Sequence, residues 1–88
     1  MRVTYKKRFL QDLNRIPDPF KEKIQEIVFE QIPYVKNIQQ ISGLKKLKGY
    51  TESYRVRFSD YRIGLSVKED RVVFFRVLHR KDIYKYFP

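Results

Sequence analysis

The sequence has no cysteine or tryptophan, a single methionine, a single histidine and only three glycines among its 88 residues. Each shortage removes a class of chemistry. Without cysteine there are no disulfides, no zinc–thiolate sites and no thiol nucleophile. One histidine, His79, cannot build a multi-histidine metal site, and no carboxylates fall at divalent-cation spacing, so no metal and no cofactor are expected. Gly43, Gly49 and Gly64 are too scattered to form a phosphate-cradling loop. No apolar run approaches the roughly 20 residues that a membrane span requires, and the first residues lack a signal-peptide core. No membrane partner is therefore expected, and the expected location is the cytoplasm. Acidic residues are scarce as well. Asp and Glu number 10 against 20 Lys and Arg, giving a net charge of +10, and such an excess points to nucleic acid or another polyanion.

What is present is aromatic and basic. A chain of this length buries only about two-thirds of its extended surface, so residues 1–88 are expected to form one domain around one core, supplied largely by seven Phe and seven Tyr. Three apolar runs dominate the second half: Tyr54–Phe58, Tyr61–Val67 and Arg71–Leu78, separated by Ser59-Asp60 and Lys68-Glu69-Asp70. Alternation at period two with short polar breaks predicts antiparallel hairpins. Tyr54, Val56 and Phe58 then share a face with Tyr61, Ile63, Leu65 and Val67. On the third strand, Val73, Phe75 and Val77 are assigned to that core face. Arg55, Arg57, Arg62, Arg76 and Arg80 gather on the opposite face as a cationic floor.

The first half reads as helical. Val3 and Tyr5 alternate with Arg2 and Thr4 in a short N-terminal strand. Phe9, Leu10, Leu13 and Ile16 fall at helical spacing until Pro17 and Pro19 intervene. Asp18 offers an N-cap for a second helix whose stripe is Phe20, Ile24, Ile27, Val28 and Ile32, closed by Pro33. Residues 34–53, around Leu44-Lys45-Lys46-Leu47-Lys48-Gly49-Tyr50, carry no regular pattern. The expected fold is α+β: the N-terminal strand and an antiparallel helical hairpin packed on one face of a four-stranded antiparallel sheet.

Lys, Arg, Tyr and one His on a sheet face can bind RNA, and can also cleave it without a metal. Attack of a ribose 2′-OH on its own phosphate needs a proton acceptor, neutralisation of the phosphorane, and a proton for the departing 5′-oxygen. Alternating arginines are equally the pattern of a solvated strand face, and a lone histidine at a strand end is equally a structural one. Spacing alone therefore supports a basic nucleic-acid-binding α+β domain.

The ordered set of Leu-Lys-Gly before the sheet, Tyr54-Arg55-Val56-Arg57-Phe58 through Asp60-Tyr61-Arg62-Ile63 across the first hairpin, and His79-Arg80-Lys81 with Ile83-Tyr84 after the last strand resembles the RelE toxins of bacterial and archaeal toxin–antitoxin systems, within the RelE/ParE superfamily. The likeness spans nearly the whole chain. It implies an endoribonuclease that cuts mRNA in the ribosomal A site by metal-independent 2′-OH attack, and a cognate antitoxin partner in a hetero-oligomer. On that resemblance Arg62 and Arg80 stabilise the phosphorane, and Tyr84 stacks on or orients the nucleotide. Arg55 and Arg57 stand where some relatives carry lysines, one of them proposed as the general base. Lys48 grips the phosphate backbone, with Lys45, Lys46, Arg55 and Arg76 as further RNA contacts. Because guanidinium does not titrate near neutrality, Arg57 serves as a charge. The base is then His79, Lys48 or neither, with His79 favoured by its free pKa. The antitoxin is expected to use an acidic or amphipathic segment that covers the basic face or displaces the segment bearing Tyr84. A ParE-like gyrase poison and a non-catalytic nucleic-acid-binding domain are the alternative readings.

Overall fold

Alternation along the two central strands produces the core as expected. In a computed structural model, which describes residues 1–88, strands β3 (Ser53–Phe58) and β4 (Tyr61–Lys68) bury Val56, Ile63, Leu65 and Val67 on one face. Helices α1 (Lys7–Asn14) and α2 (Phe20–Gln25) cover that face with Phe9, Leu13 and Ile24, joined by Ile16 just past α1. The first hairpin turns at Ser59 and the second at Glu69, both in the left-handed region.

The sheet itself differs from the expectation. It has five strands in the order β1-β5-β4-β3-β2 and is mixed, because β1 (Arg2–Tyr5) pairs in parallel with the first half of β5 (Arg71–His79). The N-terminal strand is thus an edge of the sheet and not part of a layer over it. The fifth strand, β2 (Leu44–Lys46), pairs antiparallel with β3 and lies inside the stretch that showed no pattern. Three residues are too few for alternation to register.

A second departure occurs in β5. Gly64 pairs with Arg76 and Leu65 with Phe74, so Phe75 is an extra residue in the ladder, a β-bulge. The bulge reverses the phase of the strand. Val72 and Phe74, expected to face outward, are buried in the core together with Val77, while Val73 and Phe75 lie on the opposite side. Alternation read across a bulge assigns one half of the strand to the wrong face.

The second helix also changes pitch. After Gln25 it widens into a π-helical segment, Glu26–Gln31, and then tightens into a 3₁₀ turn, Ile32–Tyr34, where Pro33 sits in the first turn. The stripe survives, since Val28 and Ile32 remain buried. Inside the wide turn the Val28 carbonyl accepts the Tyr5 hydroxyl at 2.5 Å, tying β1 to the helix. Burial and the neighbouring Tyr34 raise the pKa of that hydroxyl, keeping it a donor. Asp18 does not cap α2. Pro19 occupies the N-cap without a side-chain bond, and the Pro17 and Pro19 carbonyls accept the Lys21 and Lys23 N–H groups.

One buried carboxylate joins the layers. Asp12, only 5% exposed, projects from α1 and accepts from Arg76 Nε at 2.7 Å, Arg76 Nη2 at 3.0 Å and the Val77 N–H at 3.2 Å. Hydrogen bonding to Asp12 raises the Arg76 pKa, so the guanidinium remains charged. Removing one partner of such a pair strands the other charge, at a cost of about 3–5 kcal/mol. Asp12→Ala is therefore expected to lower stability by about that amount in urea unfolding. The double variant Asp12→Leu with Arg76→Met is expected to recover most of the loss. Equal destabilisation by the single and double variants would show that the pair is not the source.

Candidate nucleic-acid interface

The face of the sheet turned away from α1 and α2 is built by register. Arg57 stands directly opposite Arg62, Arg55 opposite Gly64, and Lys45 opposite Arg55. Directly paired residues share a face, so Lys45, Arg55, Arg57 and Arg62 project together. Arg80 follows at the end of β5, where its N–H donates to the Asp60 carbonyl at 2.7 Å. Like charges placed directly opposite one another are unfavourable in a sheet, and here no carboxylate is interleaved among them on the strands.

Arg62 is the centre of this cluster. Its Nη1 donates to the Ser59 and Tyr61 carbonyls, each at 2.9 Å, which fixes the guanidinium over the first hairpin turn. Its pKa is lowered, first by desolvation and then by Arg57, Arg55 and Arg80, with Tyr84 acting in the opposite direction. The guanidinium remains charged at neutral pH, but it sits in a field of like charge that an anion would relieve. Arg80 has a loose counter-ion, with its Nε 3.6 Å from the Asp60 carboxylate and both side chains more than half exposed. Such a pair holds the side chain only weakly.

The C-terminal segment completes the face. Helix α3 (Ile83–Tyr86) returns across the sheet and is pinned by two buried side chains, Ile83 and Phe87. The Phe87 ring lies over Gly64, where a Cβ would meet it at 2.5 Å, and packs against Phe75 at 5.8 Å between centroids. This close approach is what an isolated glycine inside a strand permits. Docked in this way, α3 holds Tyr84 over the Arg55 guanidinium at 5.0 Å and Tyr86 over Arg76 at 4.9 Å. Tyr84 is nevertheless 69% exposed.

The expected site residues thus divide. Arg62, Arg57, Arg55, Arg80 and Tyr84 come together, and Lys45 continues the same face. Lys48 follows in the loop after β2, and Lys46, paired with Tyr54, is exposed at the sheet edge. Arg76 shares the face, but its charge is compensated by Asp12 and its guanidinium is covered by Tyr86. His79 is on the other side. It pairs with Tyr61, meets that ring edge-on at 5.8 Å, and accepts the Lys81 N–H at Nδ1 at 3.2 Å. Leu78, not His79, stands opposite Arg62. The histidine favoured as base therefore belongs to the helix side. No three His, Cys, Asp or Glu side chains converge to hold a metal, and no helix is long and apolar enough to cross a membrane.

Two participants went unread in the sequence. Asp12 lies among Phe9, Leu13 and Ile16 on the buried stripe of α1, and a carboxylate in that position signals a buried cationic partner. Gly64, alone in the middle of an apolar strand, signals that another group approaches closely.

Comparison with known proteins follows this geometry. A family model described as the ParE toxin of the type II toxin-antitoxin system parDE matches residues 3–84. Toxin RelE3 of Methanocaldococcus jannaschii is 39% identical over 89 residues, covering all of both chains. The crystal structure of a RelB-RelE antitoxin-toxin complex from Methanococcus jannaschii aligns with TM-score 0.82 at 40% identity, covering 98% of this chain and 100% of that one. Isolated E. coli RelE shares the fold, with TM-score 0.67 at 18% identity over 96% of this chain and 90% of its own.

Gly64→Ala tests the docking of α3. Its Cβ overlaps the base of the Phe87 ring, so the ring must leave its place, and overpacking of this kind costs about 1–3 kcal/mol. The variant is expected to keep the core but release residues 83–87, read as faster amide exchange there and nowhere else. Unchanged protection of Ile83 and Phe87 would show that the close approach does not hold the segment.

Proposed function

This chain belongs to the RelE/ParE family of type II toxin–antitoxin toxins, and from that premise we propose that it is a RelE-type endoribonuclease that cuts mRNA on the ribosome. The observation that carries the proposal is the crowding of Arg62 by Arg55, Arg57 and Arg80 on a face roofed by Tyr84. A guanidinium fixed before the substrate arrives, as Arg62 is, and surrounded by like charge is suited to an atom that gains negative charge during reaction, and it needs no reorganisation to act.

In this reading the ribose 2′-oxygen attacks the adjacent phosphorus, forming the O2′–P bond as the P–O5′ bond breaks. The products are a 2′,3′-cyclic phosphate and a 5′-hydroxyl. The 2′-OH proton leaves and one proton reaches O5′, so protons balance across the step. Arg62 and Arg80 hold the non-bridging oxygens, Arg57 adds charge from the facing strand, and Tyr84 orients the nucleotide through its exposed ring. His79 faces away from this cluster, so the attacking hydroxyl gives its proton to solvent, and solvent or an ammonium of the Lys45–Lys48 segment supplies the proton that reaches O5′. Rate enhancement then comes chiefly from orientation and charge.

The family model's ParE description favours a second reading, a toxin directed at DNA gyrase. The two separate in one pair of assays. Purified protein is expected to cut mRNA on ribosomes and to leave gyrase supercoiling unaffected; the reverse result would establish the second reading.

For partners, the proposal is an antitoxin whose acidic segment lies on this face, together with ribosome-bound mRNA. The RelB-RelE complex described above is the support for the first.

Arg62→Ala and Arg80→Ala are each expected to slow single-turnover cleavage by about 10²–10³-fold while the far-ultraviolet spectrum is unchanged. His79→Gln is expected to keep both the rate and its pH profile. A pH-dependent step that disappears in His79→Gln would return the proton to that imidazole.

A further inference from the structure

At Arg55 the cationic face runs into a cleft of about 500 Å³. One wall is the loop joining β2 to β3, and the other is α3. The loop is a closed turn. Leu47 N–H donates to the Ser53 carbonyl at 2.9 Å, Tyr50 N–H to the Leu47 carbonyl at 3.3 Å, and Gly49 supplies the positive φ of +87°. It presents Tyr50, which is 51% exposed, to the same cleft that Tyr84 lines from α3.

Two features distinguish this cleft from ordinary surface. Its floor is apolar, provided by Leu47, Ile83 and Phe87, whereas its rim is cationic, with Lys45, Lys48 and Arg55 and no acidic residue. Its two tyrosines are mostly exposed and take no part in the core. Tyr84 has one ring contact, with the Arg55 guanidinium, and Tyr50 is in no aromatic or cation–π pair. A cleft with an apolar floor, lined by two exposed aromatic rings and bordered by ammonium groups, matches a nucleobase and its phosphates. Stacking of this kind accepts any base, because every base has a π-face.

We propose that Tyr50 and Tyr84 form a nucleobase slot for the nucleotide next to the scissile phosphate, with Lys48 on the adjoining backbone. The inference rests on the RNA-cleaving reading and adds Tyr50 to it as a binding residue. Arg55 links the two regions. It lies under the Tyr84 ring in the cleft, and it also contributes to the field around Arg62. A strand crossing from Arg62 to Lys48 therefore passes Arg55 with one base directed between the tyrosines.

The test uses a short fluorescent RNA with 2′-O-methyl riboses, which binds but cannot be cut, titrated into the purified toxin at several salt concentrations. Tyr50→Ala is expected to weaken binding roughly tenfold or more, and Tyr50→Phe to restore it. The salt dependence is expected to match the wild type, because tyrosine carries no charge. Lys48→Ala is expected to lower the salt slope by about one phosphate contact. Replacing the slot nucleotide with an abasic residue is expected to weaken wild type and leave Tyr50→Ala unmoved. Wild-type affinity in Tyr50→Ala, or no binding by wild type even at low salt, overturns the slot. So does a Tyr50→Ala variant that binds RNA normally but loses only its antitoxin. Tyr50-dependent binding without any cleavage on ribosomes would leave the slot standing and remove the nuclease reading.

Discussion

Beyond Phe74 the last strand has no neighbour on its outer edge, because β1 ends at Tyr5, and the Asp12 carboxylate fills part of the vacancy. It accepts the Val77 N–H as a neighbouring strand's carbonyl would, and the same oxygens hold both arms of Arg76. Three hydrogen bonds on one buried carboxylate satisfy a condition that isolated buried charges fail. Much else depends on this contact. It docks α1 on β5 just past the bulge, and it fixes Arg76, whose guanidinium carries Tyr86 and with it one end of α3. The helix layer and the functional face, on opposite sides of the sheet, are connected through a single ion pair.

The cationic face shows a different balance. Arg57 and Arg62 repel one another across a paired position with Arg55 nearby, a cost the fold meets with the apolar contacts of Ile83 and Phe87 above and the buried core below. Hydrophobic burial is insensitive to the charge of a ligand, whereas the repulsion is not. An anion bound at this face would relieve the repulsion without disturbing the buried apolar contacts.

How much of this was legible follows from the length scale of each signal. The core faces of β3 and β4 were readable because alternation there runs unbroken for six and eight residues. Arg55, Arg57 and Arg62 could be placed together for the same reason. β5 was misread in its first half because one inserted residue, Phe75, leaves the composition of the strand unchanged while reversing its phase. β2 was invisible at three residues, and the parallel pairing of β1 is a long-range choice that no local pattern encodes. His79 was assigned a role by its free pKa, although strict alternation past Leu78 already turns it to the side on which it pairs with Tyr61. Tertiary neighbours overrode local reading where a single residue mattered, and not where a run did.

The parallel pairing of β1 with β5 also has a consequence in time. A nascent chain emits β1 first, yet its partner appears only after the helices and three further strands have been made. Until then β1 has no sheet to join, and contacts of such wide sequence separation form late and slowly. The β3–β4 hairpin is local and closes early, but α3 comes after β5 and cannot roof the face before β5 is in place. A chain made as far as β4 therefore already carries Arg57 and Arg62 without the Tyr84 roof. The order of synthesis keeps the parts of the site separate until nearly the whole of residues 1–88 is available to fold.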